Sequence, residues 1–345
     1  MKTEEFDFDV PSELIALYPN IPRDNSKLVE VSKTYSIHHF QNLINLLNNG
    51  DCLVINNTKV IPAKLKGYIS KKKIYITLNK IIEKSPKVRW SVFIKPLKKI
   101  KENSIIKFSD NFSAKVTFIQ RRNNKVIIEF NCPNKKFNNF IDKLGNLALP
   151  HYIEKNRDFE DKDFYNYQTI FAKKRGAVAA PTASLHFSDD LLKKLILKGI
   201  KIVPVTLHIN GGTFLPIKSE NINDHEMHYE QCEITKKSAE IINTVRNQGK
   251  KCIAVGTTVL RLLETAKDRN GKISEYKGET NIFIKPGWKV NSIDGLITNF
   301  HTPKSTLFIL ISSIIGKLEA KKLYKYAIEK KLRFFSYGDA CLIWN

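Results

Sequence analysis

A layered α/β domain with a mostly parallel sheet, interrupted by a small inserted antiparallel β-barrel, is the fold class this sequence predicts. Three observations predict it. After residue 150, strand-like and helix-like runs alternate, as crossover-connected parallel strands require. From about 66 to 149 helical periodicity disappears, and short β-branched and aromatic runs recur between Lys, Asn, Asp and Pro residues, the pattern of a small barrel. A buried-strand run already stands before that stretch, so the sheet is entered before the barrel and resumed after it. The boundaries expected are 1–63 joined with 150–345 for the α/β part and 64–149 for the insert, with Pro62 and Pro150 near the crossings.

In chain order, 13–18 and 38–48 read as short helices around YPNIPRDNS (18–26), whose prolines forbid regular structure. DCLVINNTKVIPAKL (51–65) is a buried strand running into an Asn-Asn-Thr turn. KIYITLNKII, RWSVFIKPL, SIIKFSD, AKVTFIQ and KVIIEFN supply barrel strands, and NKKFNNFIDKLG the first long helical pattern. Beyond 150, a helix over 189–198 has Ser188 as N-cap and Gly199 as its stop. The strand IKIVPVTLHI (200–209), a helix near 236–248, the strand CIAVG (252–256), the helix VLRLLETAK (259–267) and a helical pair over 305–331 follow.

The chain of 345 residues is 42% hydrophobic and 26% charged, a globular composition that excludes intrinsic disorder. Its N-terminus, MKTEEFDFDV, lacks a signal peptide's basic and apolar regions, and the greasiest run, TLFILISSIIG, is too short to span a bilayer. A soluble, cytoplasmic protein with no membrane partner is expected. Five scattered cysteines show no CxxC or zinc spacing, so they are expected as reduced core thiols, with no metal site. The net charge of +23 suits a polyanionic partner, most simply nucleic acid. Compositional drift towards lysine competes as an explanation, since 47 of the 57 basic residues are Lys. Against that drift, Arg23, Arg175, Arg261 and Arg333 stand in distinctive sequence and suggest a need for the planar guanidinium.

Ligands of α/β sheets collect beyond the carboxyl ends of strands. INGGTF (209–214), GTT (256–258) and TNFHTPKST (298–306) fall at such places, and RGAVAAPTASLHFS (175–188) lies just before a helix. Gly211 and Gly212 allow close backbone approach, though a tight turn explains them equally. Thr257 and Thr258 offer hydroxyls and free amides to a carboxylate or phosphate, or merely a helix cap. In HEMHYE, His225 and His228 with Glu230 suit general acid–base work better than metal binding, because the spacing is not HExxH. His186, His208 and His301 are each either a satisfied core histidine or a working one. Arg333 and Asp339 lie among aromatics, as a structural pair or as an anchor for a substrate carboxylate. Neither GxGxxG nor GxxxxGK[ST] occurs, so no dinucleotide site or P-loop is expected.

Taken together, YPxxPRDxS (18–26), NNTKVIPAKL (56–65), YQTIFAKKRGAVAAPTASLHFS (167–188), TLHINGGTFLPI (206–217), HEMHYE (225–230), VGTTVLRLLE (255–264), GETNIFIKPGW (278–288), DGLITNFHTPKSTL (294–307) and RFFSYGDA (333–340) resemble the S-adenosylmethionine:tRNA ribosyltransferase-isomerase family of queuosine biosynthesis. The likeness runs in order from Tyr18 to the C-terminus and fades inside the β-rich insert. It departs at Ser184 and Asn210, where the family has Gly, at Leu215, where an Arg is common, and at Tyr229 and Thr302.

The resemblance implies an α/β domain with an inserted barrel. It also implies transfer and isomerisation of the ribosyl moiety of S-adenosylmethionine onto 7-aminomethyl-7-deazaguanine at the wobble position of tRNA with a GUN anticodon. Epoxyqueuosine forms and adenine and methionine leave, with S-adenosylmethionine as co-substrate, no permanently bound cofactor, no metal, and a monomeric enzyme. A base must take a proton from the carbon beside the sulfonium, an acid must assist adenine, and the attacking amine must be neutral. His186, His225, His228 and Glu230 are the candidates for proton transfer, and Arg333 or Arg175 for the methionine carboxylate. Arg23, Asp24, Asn57, Thr58, Thr182, Gly211, Gly212, Thr213, Thr257, Thr258 and Asp339 are the further candidates for substrate binding. RGAVAAPTASLHFS is expected as a site wall, tightened by Ser184. An S-adenosylmethionine-dependent RNA methyltransferase and a non-catalytic RNA-binding protein are the alternatives.

Overall fold

The computed structural model describes residues 1–121, 125–214 and 217–345; the side chains of Lys99, Thr213 and Phe214 lie outside the description. A nine-stranded sheet organises the larger part. Its order across is Tyr276–Thr280, Glu230–Ile234, Lys201–Leu207, Cys52–Asn56, Cys252–Val255, Gly295–Asn299, Ala340–Trp344, Lys27–Val31 and Tyr35–His39. The expected alternation of strands and helices is there, but the sheet is mixed. Its four central strands, Lys201–Leu207 to Gly295–Asn299, run parallel, and antiparallel pairs join on both sides. Cys52–Asn56 and Cys252–Val255 are buried along their whole length, which is why they read as apolar runs; Gly295–Asn299 is equally buried but ends in Thr298 and Asn299 and does not read as one. All five cysteines are buried and free, serving as small core residues.

Helices cover both faces. Lys236–Asn247 and Thr257–Ala266 pack Ile242, Val245, Leu260 and Leu263 on one face; Asp189–Leu197 packs Leu191 and Leu195 on the other. Ser188 caps the latter helix as expected, its Oγ accepting the Leu191 N–H at 3.0 Å. The apolar run Thr306–Ile315 is a helix whose Phe308, Ile309 and Ile311 are buried against Lys317–Glu329. Among the described residues no helix is long and apolar enough to cross a membrane. The helix expected over 13–18 is absent. Only a 3-10 turn, Ser12–Leu14, forms after Pro11, and Ile15 instead bridges to Phe334.

Six antiparallel strands close the barrel in the order Lys125–Phe130, Arg89–Lys95, Lys72–Glu83, Lys64–Ile69, Ile105–Ser109 and Phe112–Gln120. Phe112 stacks on Phe130 and Phe140 at one end, where helix Asn134–Leu144 lays Phe137 and Ile141 into the barrel core.

The four parallel strands share one carboxyl end, and the segments leaving it are 57–60, 208–214, 256–258 and 300–306. Ala340 pairs with Asn299, so the chain entering Ala340–Trp344 delivers 335–339 to the same end.

Candidate active site

A cavity of about 390 Å³ opens at that shared end. Ala179, Ala180, Pro181 and Ala183 form one wall. Tyr152, Tyr167 and Phe335 supply aromatic surface, and the Gly256–Thr258 turn and segment 298–307 form the rest. Methyl-sized side chains leave the backbone itself as the wall, so a ligand approaches it closely. The stretch 179–183 therefore lines the cavity, whereas Arg175 and His186 of the same segment do not. Ser184 is not on that wall: it is fully buried with its hydroxyl unpartnered behind it.

Asn299, at the end of its strand, is the hub of the polar groups. Its Oδ1 accepts from the Thr182 hydroxyl at 3.0 Å, and its Nδ2 donates to His186 Nε2 and to the Phe335 carbonyl, both at 3.1 Å. His186 must then be a neutral acceptor at Nε2. Burial, with Arg333 and Arg23 nearby, drives its pKa down to about 3. The ring packs on Phe40, 5.0 Å between centroids, behind the cavity rather than facing it. His301 does line the cavity. Its Nε2 lies 2.7 Å from the Thr298 hydroxyl, the Tyr324 hydroxyl accepts its backbone N–H, and burial lowers its pKa to about 3.

Gly256 holds φ +100°, a conformation L residues rarely adopt, and turns the chain sharply from strand Cys252–Val255 into helix Thr257–Ala266. That turn places Thr257 and Thr258 on the cavity, as expected.

Several expected site residues lie elsewhere. Arg23 grips the Gln168 and Tyr165 carbonyls, each at 2.7 Å, tying the N-terminal loop down. Asp24 accepts from Ser188. Arg333 bonds Asn20 and the Tyr18 carbonyl, and Asp339 accepts the backbone N–H groups of Arg333 and Lys27. These four residues stitch the chain together; none lines the cavity. Asn57 accepts the Thr206 hydroxyl, and buried Thr58 sits 2.7 Å from His208 Nδ1. Arg175 reaches away from the cavity to Asp142 beside the barrel, at 2.8 Å. Glu230 is 2% exposed and ion-paired at 2.5 Å with Arg261, a buried structural bridge between strand and helix.

A second space, about 800 Å³, lies between the barrel and the HEMHYE loop. Asn79, Lys80, Phe93 and Lys125 face Glu226, His228 and Tyr229 across it. Gly212 is needed here, because a Cβ on it would stand 2.3 Å from the His228 ring. The Gly212 N–H donates to Asn79 Oδ1 at 3.2 Å, and Gly211 packs near Phe93, so both glycines seat this loop on the barrel. His225 stacks edge-on against Phe283, and burial and then His228 lower its pKa. The Thr213 side chain and Leu215 lie outside the described residues.

Residues 3–343 match the family described as "Queuosine biosynthesis protein". The chain belongs to that family. A relative from Zymomonas mobilis, named S-adenosylmethionine:tRNA ribosyltransferase-isomerase, is 43% identical, with 99% of each chain covered. One of the same name from Rickettsia bellii is 44% identical, covering all of this chain and 99% of its own. Among solved structures, the S-adenosylmethionine tRNA ribosyltransferase of Thermotoga maritima superposes with a TM-score of 0.55 at 29% identity, over 98% of this chain and 99% of that one.

For this member of the queuosine biosynthesis family, the sequence pointed to the segment TNFHTPKST but not to Asn299 within it. The signal was available: a polar Asn ending a wholly buried parallel strand faces the ligand end of the sheet. Tyr152 carried no such signal, since its helix His151–Asn156 reaches the cavity only through the tertiary fold.

Proposed function

We propose that the chain transfers and isomerises the ribosyl moiety of S-adenosylmethionine onto the aminomethyl group of 7-aminomethyl-7-deazaguanine in tRNA, forming epoxyqueuosine and releasing adenine and methionine. One observation carries this. Four of the segments that resemble the ribosyltransferase-isomerases, RGAVAAPTASLHFS, VGTTVLRLLE, DGLITNFHTPKSTL and RFFSYGDA, are far apart in sequence and converge on one 390 Å³ cavity. Its mostly apolar wall with a few convergent polar groups suits a small co-substrate. The tRNA, of GUN anticodon class, approaches over the open cleft of Lys80, Lys125 and His228. The loop Ile209–Gly212 separates the two spaces, Ile209 lining the cavity and Asn210 the cleft.

The two spaces then divide the work. His301, neutral on the cavity wall with its Nε2 on the Thr298 hydroxyl, helps position the co-substrate. His228, with His225 behind it, keeps the attacking amine neutral. His186 acts as a positioning residue, holding Asn299 and through it Thr182. The barrel, over 64–149, works as a unit that carries one wall of the tRNA cleft. The enzyme works as a cytoplasmic monomer.

The test uses tRNA carrying the deazaguanine precursor and S-adenosylmethionine labelled separately in ribose and methyl. Ribose label should enter the tRNA. Methyl label there would make the chain a methyltransferase, and no label a binding protein. The single-turnover rate of His228→Ala should fall by about 10²-fold or more; an unchanged rate removes the proton-transfer assignment.

A further inference from the structure

An S-adenosylmethionine carboxylate needs a positive partner, and the cavity offers no guanidinium or ammonium for it. Among the described residues lining it there is no Lys or Arg. Arg23 and Arg333 hold backbone carbonyls, Arg175 holds Asp142, and the buried His301 is neutral.

Two helices of ten residues begin on the cavity, and they differ. Thr306–Ile315 is closed by its own N-cap, whose Ser305 Oγ accepts the Phe308 N–H at 3.2 Å and donates to the Thr302 carbonyl at 2.6 Å. Thr257–Ala266 has Gly256 as N-cap and therefore no capping side chain. Its first two amides, of Thr257 and Thr258, have no acceptor within the described protein, whereas those of Val259 and Leu260 bond back to the Gly256 carbonyl. Beside those free amides, Thr258 is 7% exposed and its hydroxyl has no partner at all. Buried hydroxyls are almost always hydrogen-bonded, so this orphan on the cavity wall is free to bond a ligand there. The same hydroxyl lies 3.6 Å from where a Gly256 side chain would begin, with Ala183 from the opposite wall 3.7 Å from that point. A side chain there would fill the space in front of the hydroxyl; glycine leaves it open.

We propose that the N-terminus of helix Thr257–Ala266 binds the α-carboxylate of S-adenosylmethionine, through the Thr257 and Thr258 amides and the Thr258 hydroxyl. The inference rests on the ribosyl-transfer reading above and specifies how that co-substrate is held. Free N–H groups at the helix start and the positive end of the helix dipole replace the missing cation. Because methionine is released unchanged in its carboxylate, the contact is equal in ground and transition states. It therefore acts on KM and leaves kcat alone.

The experiment compares S-adenosylmethionine with its decarboxylated analogue on the wild-type enzyme, by calorimetric binding and by ribosyl transfer to precursor tRNA. Wild type should prefer the carboxylated ligand by at least about tenfold, and Thr258→Val should raise its KM about tenfold with kcat unchanged, as loss of a charge-assisted hydrogen bond requires. Thr258→Ser, which restores the hydroxyl, should recover most of that affinity. Equal affinity of wild type for both ligands overturns the carboxylate assignment while leaving ribosyl transfer standing, and needs no variant that might misfold. A Thr258→Val effect on the KM for tRNA instead, with S-adenosylmethionine unaffected, also overturns it, since the helix would then hold an RNA phosphate. Failure of wild type to bind S-adenosylmethionine or transfer ribose overturns the ribosyl-transfer reading itself.

Discussion

The cavity and the cleft differ in how they handle charge. The cavity is walled by alanines, aromatics and backbone, and its polar groups are neutral side chains and helix amides. The cleft is about twice as large and presents lysines, His228 and Glu226 on side chains of the barrel and the HEMHYE loop. Fixed dipoles need no counterions and do not reorganise, which suits a small charged co-substrate. Mobile lysines suit a phosphate backbone whose counterions must be released. If the division is real, variants on one side should leave the other side's substrate alone.

The largest effect is expected at Asn299. Replacing it with Leu leaves the part-buried Thr182 hydroxyl and the buried His186 acceptor without this partner, and costs about 1–3 kcal/mol, chiefly for the unsatisfied His186 nitrogen. Because Thr182 lines the cavity, kcat/KM for S-adenosylmethionine should drop by about 10²-fold or more, as loss of a positioned polar wall does. The tRNA dissociation constant should stay within about twofold, because Asn299 lies on the cavity and not on the cleft. A parallel loss of tRNA affinity would show that the two spaces act as one site.

How much of this was legible in the sequence follows from the same contrast. The barrel runs were readable because alternation survives in them. Phe112–Gln120, for example, buries Phe112, Ala114 and Val116 while Ser113, Lys115 and Thr117 face out or lie at the margin. Of the central strands, Cys52–Asn56, Lys201–Leu207 and Cys252–Val255 were readable as apolar runs, whereas Gly295–Asn299, with its Thr298 and Asn299, was not. What could not be read was the slot of Ala340–Trp344 between Gly295–Asn299 and Lys27–Val31, since nothing local encodes partners tens or hundreds of residues away. That slot makes the sheet mixed and brings Phe335 and Ser336 to the cavity. The retained arginines did mark a need for the guanidinium fork. Arg23 and Arg333 spend it on backbone carbonyls, which leave no trace in sequence. Glu230 misled for a related reason: its partner Arg261 is 31 residues away and lies on a different element.

A smaller effect should separate the spaces by pH. His186 and His301 are buried as neutral imidazoles with pKa lowered to about 3, while an unfolded histidine titrates near 6.5. The folded pKa lies below the unfolded one, so the stability they support is complete above about pH 6.5 and is lost as pH falls towards 3. At pH 5 each should have forfeited about 2 kcal/mol. Urea midpoints of wild type and His186→Gln at pH 7.5 and pH 5.0 measure this, and the variant should lose less on acidification by one such increment. Equal losses would mean that His186 is protonated in the fold and cannot accept from Asn299.

The smallest effect tests whether the cleft's charge is used at all, given a chain with 57 basic residues against 34 acidic ones. Lys125 begins the barrel strand Lys125–Phe130 and faces the cleft, whereas Lys321 is exposed on helix Lys317–Glu329 and lines neither space. Lys125→Ala should weaken tRNA binding by only about three- to fivefold, and lower the slope of log affinity against log salt by about 1. Lys321→Ala should change neither quantity, and both variants should keep the wild-type KM for S-adenosylmethionine. Equal small losses in the two variants would assign the positive charge to the surface as a whole. A slope change confined to Lys125 makes the cleft a phosphate track, and makes the dipole-lined cavity the place where the enzyme does without cations.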